Sequence, residues 1–238
     1  MTVLYSIQNY PKQGDYYVNH PELDQSRMND FCINDGNLKF VILGEPSVGK
    51  TCLTTRACYD KFSNTYEATI GVQFSQTTCE INSHQTKLCF WDTSGQQRYT
   101  EITSHYFRGA DVAFFCFSLN DQISLQSLEN WIISLNEHTQ PVSAAFLVGC
   151  KSDIPQTIRD VEIEKFAKSN NLEYFKTSSK NSTNITDLIQ RAAFVGSLVK
   201  QIRTKQNKEK FVQHKKITEA KQVDISNQEK KEGGKCCA

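Results

Sequence analysis

Six apolar runs punctuate the chain, near residues 38–43, 72–81, 86–91, 111–118, 144–150 and 173–177. Their length and their Val, Ile, Phe and Leu content predict strands. Apolar residues at helical spacing fall between them, from Lys50 to about Phe62, Ser124 to Glu137, Val161 to Asn170 and Ile185 to about Lys200. Asn82-Ser83-His84-Gln85 alone separates the second run from the third, which signals a hairpin. Elsewhere strand and helix alternate. That pattern predicts an α/β fold with a six-stranded, mostly parallel sheet flanked by helices on both faces. In such sheets ligands bind at the carboxyl ends of the strands, so the loops there are where chemistry is expected.

The first of these loops carries a complete G-x-x-x-x-G-K-[ST] sequence. Gly44-Glu45-Pro46-Ser47-Val48-Gly49-Lys50-Thr51 follows the strand Leu38–Leu43 and opens a predicted helix. Glycines let the backbone curl so that successive N–H groups point at one anion. A lysine at the sixth position after the first glycine reaches the outer phosphates, and the Thr hydroxyl coordinates Mg²⁺. The motif therefore predicts a nucleoside triphosphate. The run 86–91 ends at Asp92, followed by Thr93-Ser94-Gly95-Gln96. A carboxylate at a strand end can hold Mg²⁺ through its water shell. Gly95 permits close backbone approach to a γ-phosphate, and Gln96 stands where it can orient an attacking water.

Asp92 to Gln96 resembles the D-T-A-G-Q segment of small GTPases of the Ras superfamily. Thr69, within Glu67-Ala68-Thr69-Ile70-Gly71-Val72-Gln73-Phe74, is similar to the first switch of the Rab branch. Gln96-Gln97-Arg98-Tyr99 and Ile102 to Ala110 resemble the Rab second switch. The resemblance covers roughly Asn37 to Lys200. It implies a P-loop small G-domain that binds GTP or GDP with Mg²⁺. It implies nucleotide contacts at Gly44, Ser47, Val48, Gly49, Lys50, Thr51, Cys52, Phe62, Thr69, Gly95, Lys151, Asp153, Ser178, Ser179 and Lys180. Phe62 corresponds to the aromatic that packs on the guanine ring. Metal contacts would come from Thr51, Thr69 and Asp92, and Gln96 would be the catalytic residue.

Two positions depart from the family. Its base-reading pattern is N-K-x-D, whereas this chain reads Cys150-Lys151-Ser152-Asp153. Asp153 can still accept from the guanine N1–H and exocyclic amine, a pair that adenine lacks. A thiol is a weak donor, so replacing the family Asn costs about 0.5–1.5 kcal/mol of binding. Thr177-Ser178-Ser179-Lys180 resembles the S-A-K loop, which meets the base oxygen mainly through a backbone N–H. The second departure is Pro46, which lacks an N–H and fixes φ near about −65°. The family's phosphate donors match Ser47 to Thr51, so binding is expected to survive. Hydrolysis is more exposed, because the ring would stand near Gln96 and any incoming arginine.

Composition adds the ends of the chain to this picture. Its 238 residues accommodate one domain, expected at 37–200, with an extension over 1–36 and a tail over 201–238. The extension is rich in Asn, Asp, Tyr and Gln and is expected to be disordered, with Tyr5, Tyr10, Tyr16, Tyr17 and Phe31 as potential anchors for a partner. Net charge is +1, yet Lys200 to Lys235 holds 11 Lys/Arg against 5 Asp/Glu. Subtraction from the chain totals of 27 and 26 leaves 16 against 21 elsewhere, so the tail is +6 and the remainder −5.

The chain ends Lys235-Cys236-Cys237-Ala238, which is not a C-a-a-X box. It resembles the double-Cys ending of Rab proteins, which implies geranylgeranyl groups on Cys236 and Cys237; two chains anchor stably where one does not. The other seven cysteines show no C-x-x-C spacing and read as scattered reduced thiols. No segment has the form of a secretory leader, and no apolar run approaches the ~20 residues of a membrane helix. Nothing suggests nucleic-acid binding.

The resemblance thus implies a switch on the cytoplasmic face of an intracellular membrane, cycling with the cytosol. Its implied partners are an exchange factor, a GTPase-activating protein, effectors, a prenyl-transfer escort and a GDP-dissociation inhibitor. The alternative is a slow or non-hydrolysing guanine-nucleotide-binding module, because of Pro46 and Cys150. A P-loop kinase ranks third, since neither a lid nor an acceptor site is evident.

Overall fold

The computed structural model describes residues 4–7, 36–65, 67–81, 84–96, 105–139, 142–202 and 204–205. The chain divides into a unit spanning Met1–Val199 and a second, Lys200–Ala238. Within the first unit all six expected strands form: β2 Gly36–Leu43, β3 Val72–Ile81, β4 His84–Thr93, β5 Val112–Ser118, β6 Ala144–Cys150 and β7 Glu173–Lys176. A short strand that the sequence reading did not expect, β1 Leu4–Ile7, pairs in parallel with β3, from Leu4 opposite Thr78 to Ile7 opposite Ile81. The expectation of disorder over 1–36 is therefore corrected at these positions. Four residues are too few to show a period, and what recruits them is the open backbone edge of β3.

The sheet order is β1-β3-β4-β2-β5-β6-β7. β3 and β4 form the antiparallel hairpin and every other pairing is parallel. β5 is buried at all seven positions, as a central strand covered on both faces must be. β3 and β4 instead alternate buried with exposed positions over much of their length. Phe90, Phe40, Phe114 and Phe146 form a row of rings across β4, β2, β5 and β6, with centroids 4.7, 5.5 and 5.8 Å apart. Each such buried side chain contributes about 1.5–3 kcal/mol.

The helices pack on this sheet. α1 is Lys50–Tyr59 and stops short of the expected Phe62, because Asp60 enters the left-handed region (φ 52°) and its N–H returns to the Arg56 carbonyl. The single helix expected over 124–137 is two: α2 Gln122–Gln126 and α3 Leu128–His138. The Asp121 carboxylate caps α2, and the Ser127 hydroxyl bonds back to the Ile123 carbonyl at 2.9 Å where α2 ends. Buried Leu128, Trp131 and Leu135 define the inward face of α3. α4 is Asp160–Ser169, and α5 covers 185–199. In the second unit, 200–202 and 204–205 are helical. No helix among the described residues is long and apolar enough to cross a membrane.

Candidate nucleotide-binding site

The loop between β2 and α1 turns on three residues with positive φ: Gly44 at 139°, Ser47 at 62° and Gly49 at 117°. Gly44 is also a steric requirement, since a Cβ there would lie 2.1 Å from the Cys116 carbonyl oxygen of β5. α1 begins directly after Gly49 with no side-chain cap, so its first N–H groups are available to an anion. Lys50 curls back along the loop. Its Nζ donates to the carbonyls of Gly44 and Glu45 at 2.8 and 2.7 Å. Burial lowers its pKa, and Asp92 opposes that most strongly.

Asp92 sits near the end of β4, fully buried, and neither carboxylate oxygen has a hydrogen-bond partner. Burial pushes it up to about 6, against the pull of the neighbouring Thr51 hydroxyl and Lys50 ammonium. A buried carboxylate left in this state is unfavourable unless something charged completes it. Beside it the Thr51 and Thr69 hydroxyl oxygens lie 2.9 Å apart, bringing the first-switch segment onto α1. Two hydroxyls and an unsatisfied carboxylate fit a hard, oxygen-preferring cation such as Mg²⁺.

Gly95 follows at the same end of the sheet and lies against the phosphate loop. Gln96 lines the cavity above it. Residues 97–104, which carry most of the second-switch resemblance, lie outside the described residues, as do Cys236 and Cys237.

The far wall is built from the ends of β6 and β7. Cys150 is buried, with its thiol 3.8 Å from the Val148 carbonyl. A Cβ on Gly49 would meet the Cys150 Cβ at 3.3 Å, so this residue touches the phosphate loop. Lys151 turns the chain with φ 65°, and the Ser178 hydroxyl donates to Asp153 Oδ1 at 2.6 Å. The Thr177 N–H bonds to the Gly149 carbonyl at 2.7 Å and the Ser152 N–H to the Thr177 carbonyl at 3.0 Å, locking the two base-side loops together.

These walls enclose a cavity of about 740 Å³. Ser47, Gly49, Lys50, Thr51, Cys52, Phe62, Thr69, Gly95, Gln96, Lys151, Asp153, Ser179 and Lys180 all line it. Gly44, Val48, Asp92 and Ser178 do not: Gly44 is pressed on β5, Val48 is a core side chain, and Asp92 and Ser178 stand behind Thr51 and Asp153. The sequence reading missed Thr55, one helical turn beyond Thr51, and the wall formed by Ser63, Asn64 and Thr65; Glu67 and Ala68, noted in the first-switch segment but given no contact, continue that wall. Helical spacing could have found Thr55. Residues 63–65 have no such signal.

Fold and site together define a P-loop nucleotide-binding domain. The Ras family model matches residues 39–196. The chain is 32% identical over 204 residues to Ras-related protein Rab-13 of Mesocricetus auratus, covering 85% of this chain and 96% of that one. It is 38% identical over 160 residues to Ras-related protein Rab-34 of Sus scrofa, covering 65% and 62%, and 33% identical over 155 residues to Ras-related protein SEC4 of Saccharomyces cerevisiae, covering 65% and 72%. The chain belongs to the Rab branch of the Ras family of small GTPases.

Proposed function

We propose that this chain is a GTP-binding, GTP-hydrolysing switch that acts in membrane trafficking. The observation that carries the reading is one cavity with two chemically distinct ends. Lys50, Thr51, Thr69 and Gln96 meet at one, backed by the unsatisfied Asp92, and Asp153 with Ser178 stands at the other.

At the base end, Asp153 accepts from the guanine N1–H and amine. The Ser178 hydroxyl occupies one oxygen and holds the carboxylate in orientation, and Phe62 packs against the ring. At the phosphate end, the loop N–H groups and Lys50 hold the β and γ phosphates, and Gln96 orients the water that attacks. Thr51, Thr69 and Asp92 hold Mg²⁺, which when bound neutralises charge on the phosphate oxygens. With GTP in place Thr69 is tied to the site, and hydrolysis releases the segment.

Slow intrinsic turnover belongs to this reading, and the lack of an arginine among the described residues that line the cavity supports it. An arginine supplied in trans by an activating protein is worth about 10³–10⁵ in rate. Exposed Phe74 and Tyr106 flank Trp91, with centroids 5.3 Å from it on either side. This aromatic row runs beside the first switch and suits an effector that reads the GTP state. Exchange factor, escort and GDP-dissociation inhibitor follow from the same reading. The prenylated tail holds the protein on a cytoplasmic membrane leaflet.

The test is phosphate release from the purified chain with GTP and Mg²⁺, alone and with activating protein, against Gln96→Leu. Release by the wild type and its loss in the variant support the switch. The slow or non-hydrolysing module finds no supporting observation; equal, undetectable release from both proteins would revive it.

A further inference from the structure

Arg56 lies on the outer side of the base loop, and no motif drew attention to it. Its guanidinium donates from Nε to the Ser179 carbonyl at 2.7 Å and from Nη2 to the Lys180 carbonyl at 3.4 Å, bridging 123 and 124 positions of sequence. Nη1 donates to the Asp60 carbonyl at 2.9 Å and to Asp60 Oδ1 at 2.8 Å. The arginine side chain is only 14% exposed. The planar fork is therefore held at one side by the left-handed cap of α1 while it grips two consecutive carbonyls at the other, a geometry that a lysine ammonium cannot reproduce.

Holding those carbonyls has a consequence for the cavity. In a trans peptide the C=O and N–H point in opposite directions, and the chain contains no cis bond among the described residues. The Ser179 C=O shares its peptide with the Lys180 N–H, so a Ser179 carbonyl drawn outward turns the Lys180 N–H inward, and Ser179 and Lys180 both line the cavity. The Lys180 C=O shares its peptide with the Asn181 N–H, which donates to the Ser178 hydroxyl oxygen at 3.1 Å, so the hydroxyl that holds Asp153 fixes this next peptide as well. Arg56 also belongs to α1, the helix that starts at Lys50, so one rigid element spans from the phosphate loop to the base loop.

We propose that Arg56 is a specificity-determining positioning residue, which holds the Ser179–Lys180 peptide so that the Lys180 N–H meets the 6-oxygen of guanine. This rests on the guanine-nucleotide reading above. Arg56 touches no nucleotide and acts through the loop that it clamps.

The probes are three diphosphates measured by calorimetry on the full chain: GDP, inosine diphosphate, which keeps the 6-oxygen and lacks the amine, and 6-thioguanosine diphosphate, which keeps the amine and replaces the oxygen with a weak acceptor. Arg56→Ala should weaken GDP and inosine diphosphate by about tenfold each, the size of one hydrogen bond to a well-placed donor, and the thio analogue by far less. Arg56→Lys should give the same ordering at smaller size, and it serves if the alanine variant does not fold. Equal losses for all three ligands would make Arg56 a purely structural residue and overturn the proposal, as would no loss for any. A wild-type chain that does not bind GDP would remove the guanine-nucleotide reading and this inference with it.

Discussion

Gly95 packs directly on Pro46: a Cβ built on the glycine would fall 2.4 Å from the proline nitrogen, and also 2.4 Å from the Glu45 carbonyl carbon. The contact is backbone on backbone, so no side-chain rotation can relieve it. The proline helps make it possible, because its nitrogen carries no hydrogen that Gly95 would strand. Pro46 is thus a packing partner of the segment that carries Gln96. Gly95→Ala should force the phosphate loop and that segment apart, at a cost of about 1–3 kcal/mol in stability. Single-turnover GTP hydrolysis should fall at least about tenfold while GDP binding persists. Wild-type rates in the variant would show that the contact is not maintained during turnover.

Asp92 links stability to pH. Its folded pKa is raised from 3.8 to about 6 by burial. The folded protein therefore binds more protons than the unfolded chain between those values, so stability falls as pH rises through about 4 to 6 and the penalty is complete above. Two pKa units correspond to about 3 kcal/mol. In nucleotide-free protein with EDTA, Asp92→Asn should raise Tm at pH 7 and lose that advantage at pH 4. The same variant should bind GDP more weakly when Mg²⁺ is present. A variant less stable than wild type at pH 7 without metal would contradict the assignment of burial as the cause.

Cys150 touches the phosphate loop at Gly49 and lines the base end of the cavity. Its thiol lies 3.8 Å from the Val148 carbonyl and beside the Cys116 thiol and Thr177. An amide in its place could donate to base and loop together. Cys150→Asn should slow GDP release by up to about tenfold, equivalent to about 0.5–1.5 kcal/mol. Stopped-flow release of a fluorescent GDP analogue measures this, and an unchanged rate would mean that the thiol position makes no contact with the bound state.

Membrane attachment rests on the tail. The basic segment adds about 1 kcal/mol per well-placed cation on an anionic leaflet, and salt weakens it. Stable retention needs the two lipids. Cys236→Ser/Cys237→Ser should move the protein to the soluble fraction of cells while GTP binding is kept. Equal retention of wild type and double variant on membranes would remove the terminal-lipid reading.

Much of this was legible along the chain because it is local. Strand positions follow from apolar runs, and the phosphate loop from residues only a few positions apart, where glycines and a lysine must be adjacent to do their work. Asp92 and Asp153 were found for the same reason: each lies within a few residues of the carboxyl end of an apolar strand. Tertiary structure alone decided the rest. That Asp92 is buried beside Thr51 and Lys50, that Gly95 bears on Pro46, that Ser178 holds Asp153 and that Arg56 grips a loop 123 residues away are contacts between segments that sequence spacing does not relate. The edge strand β1 was invisible because four residues have no period and gain their hydrogen bonds only when the β3 edge is present to offer them. Motif residues are specified by what lies beside them in sequence; the residues that position them are specified by what the sheet brings alongside.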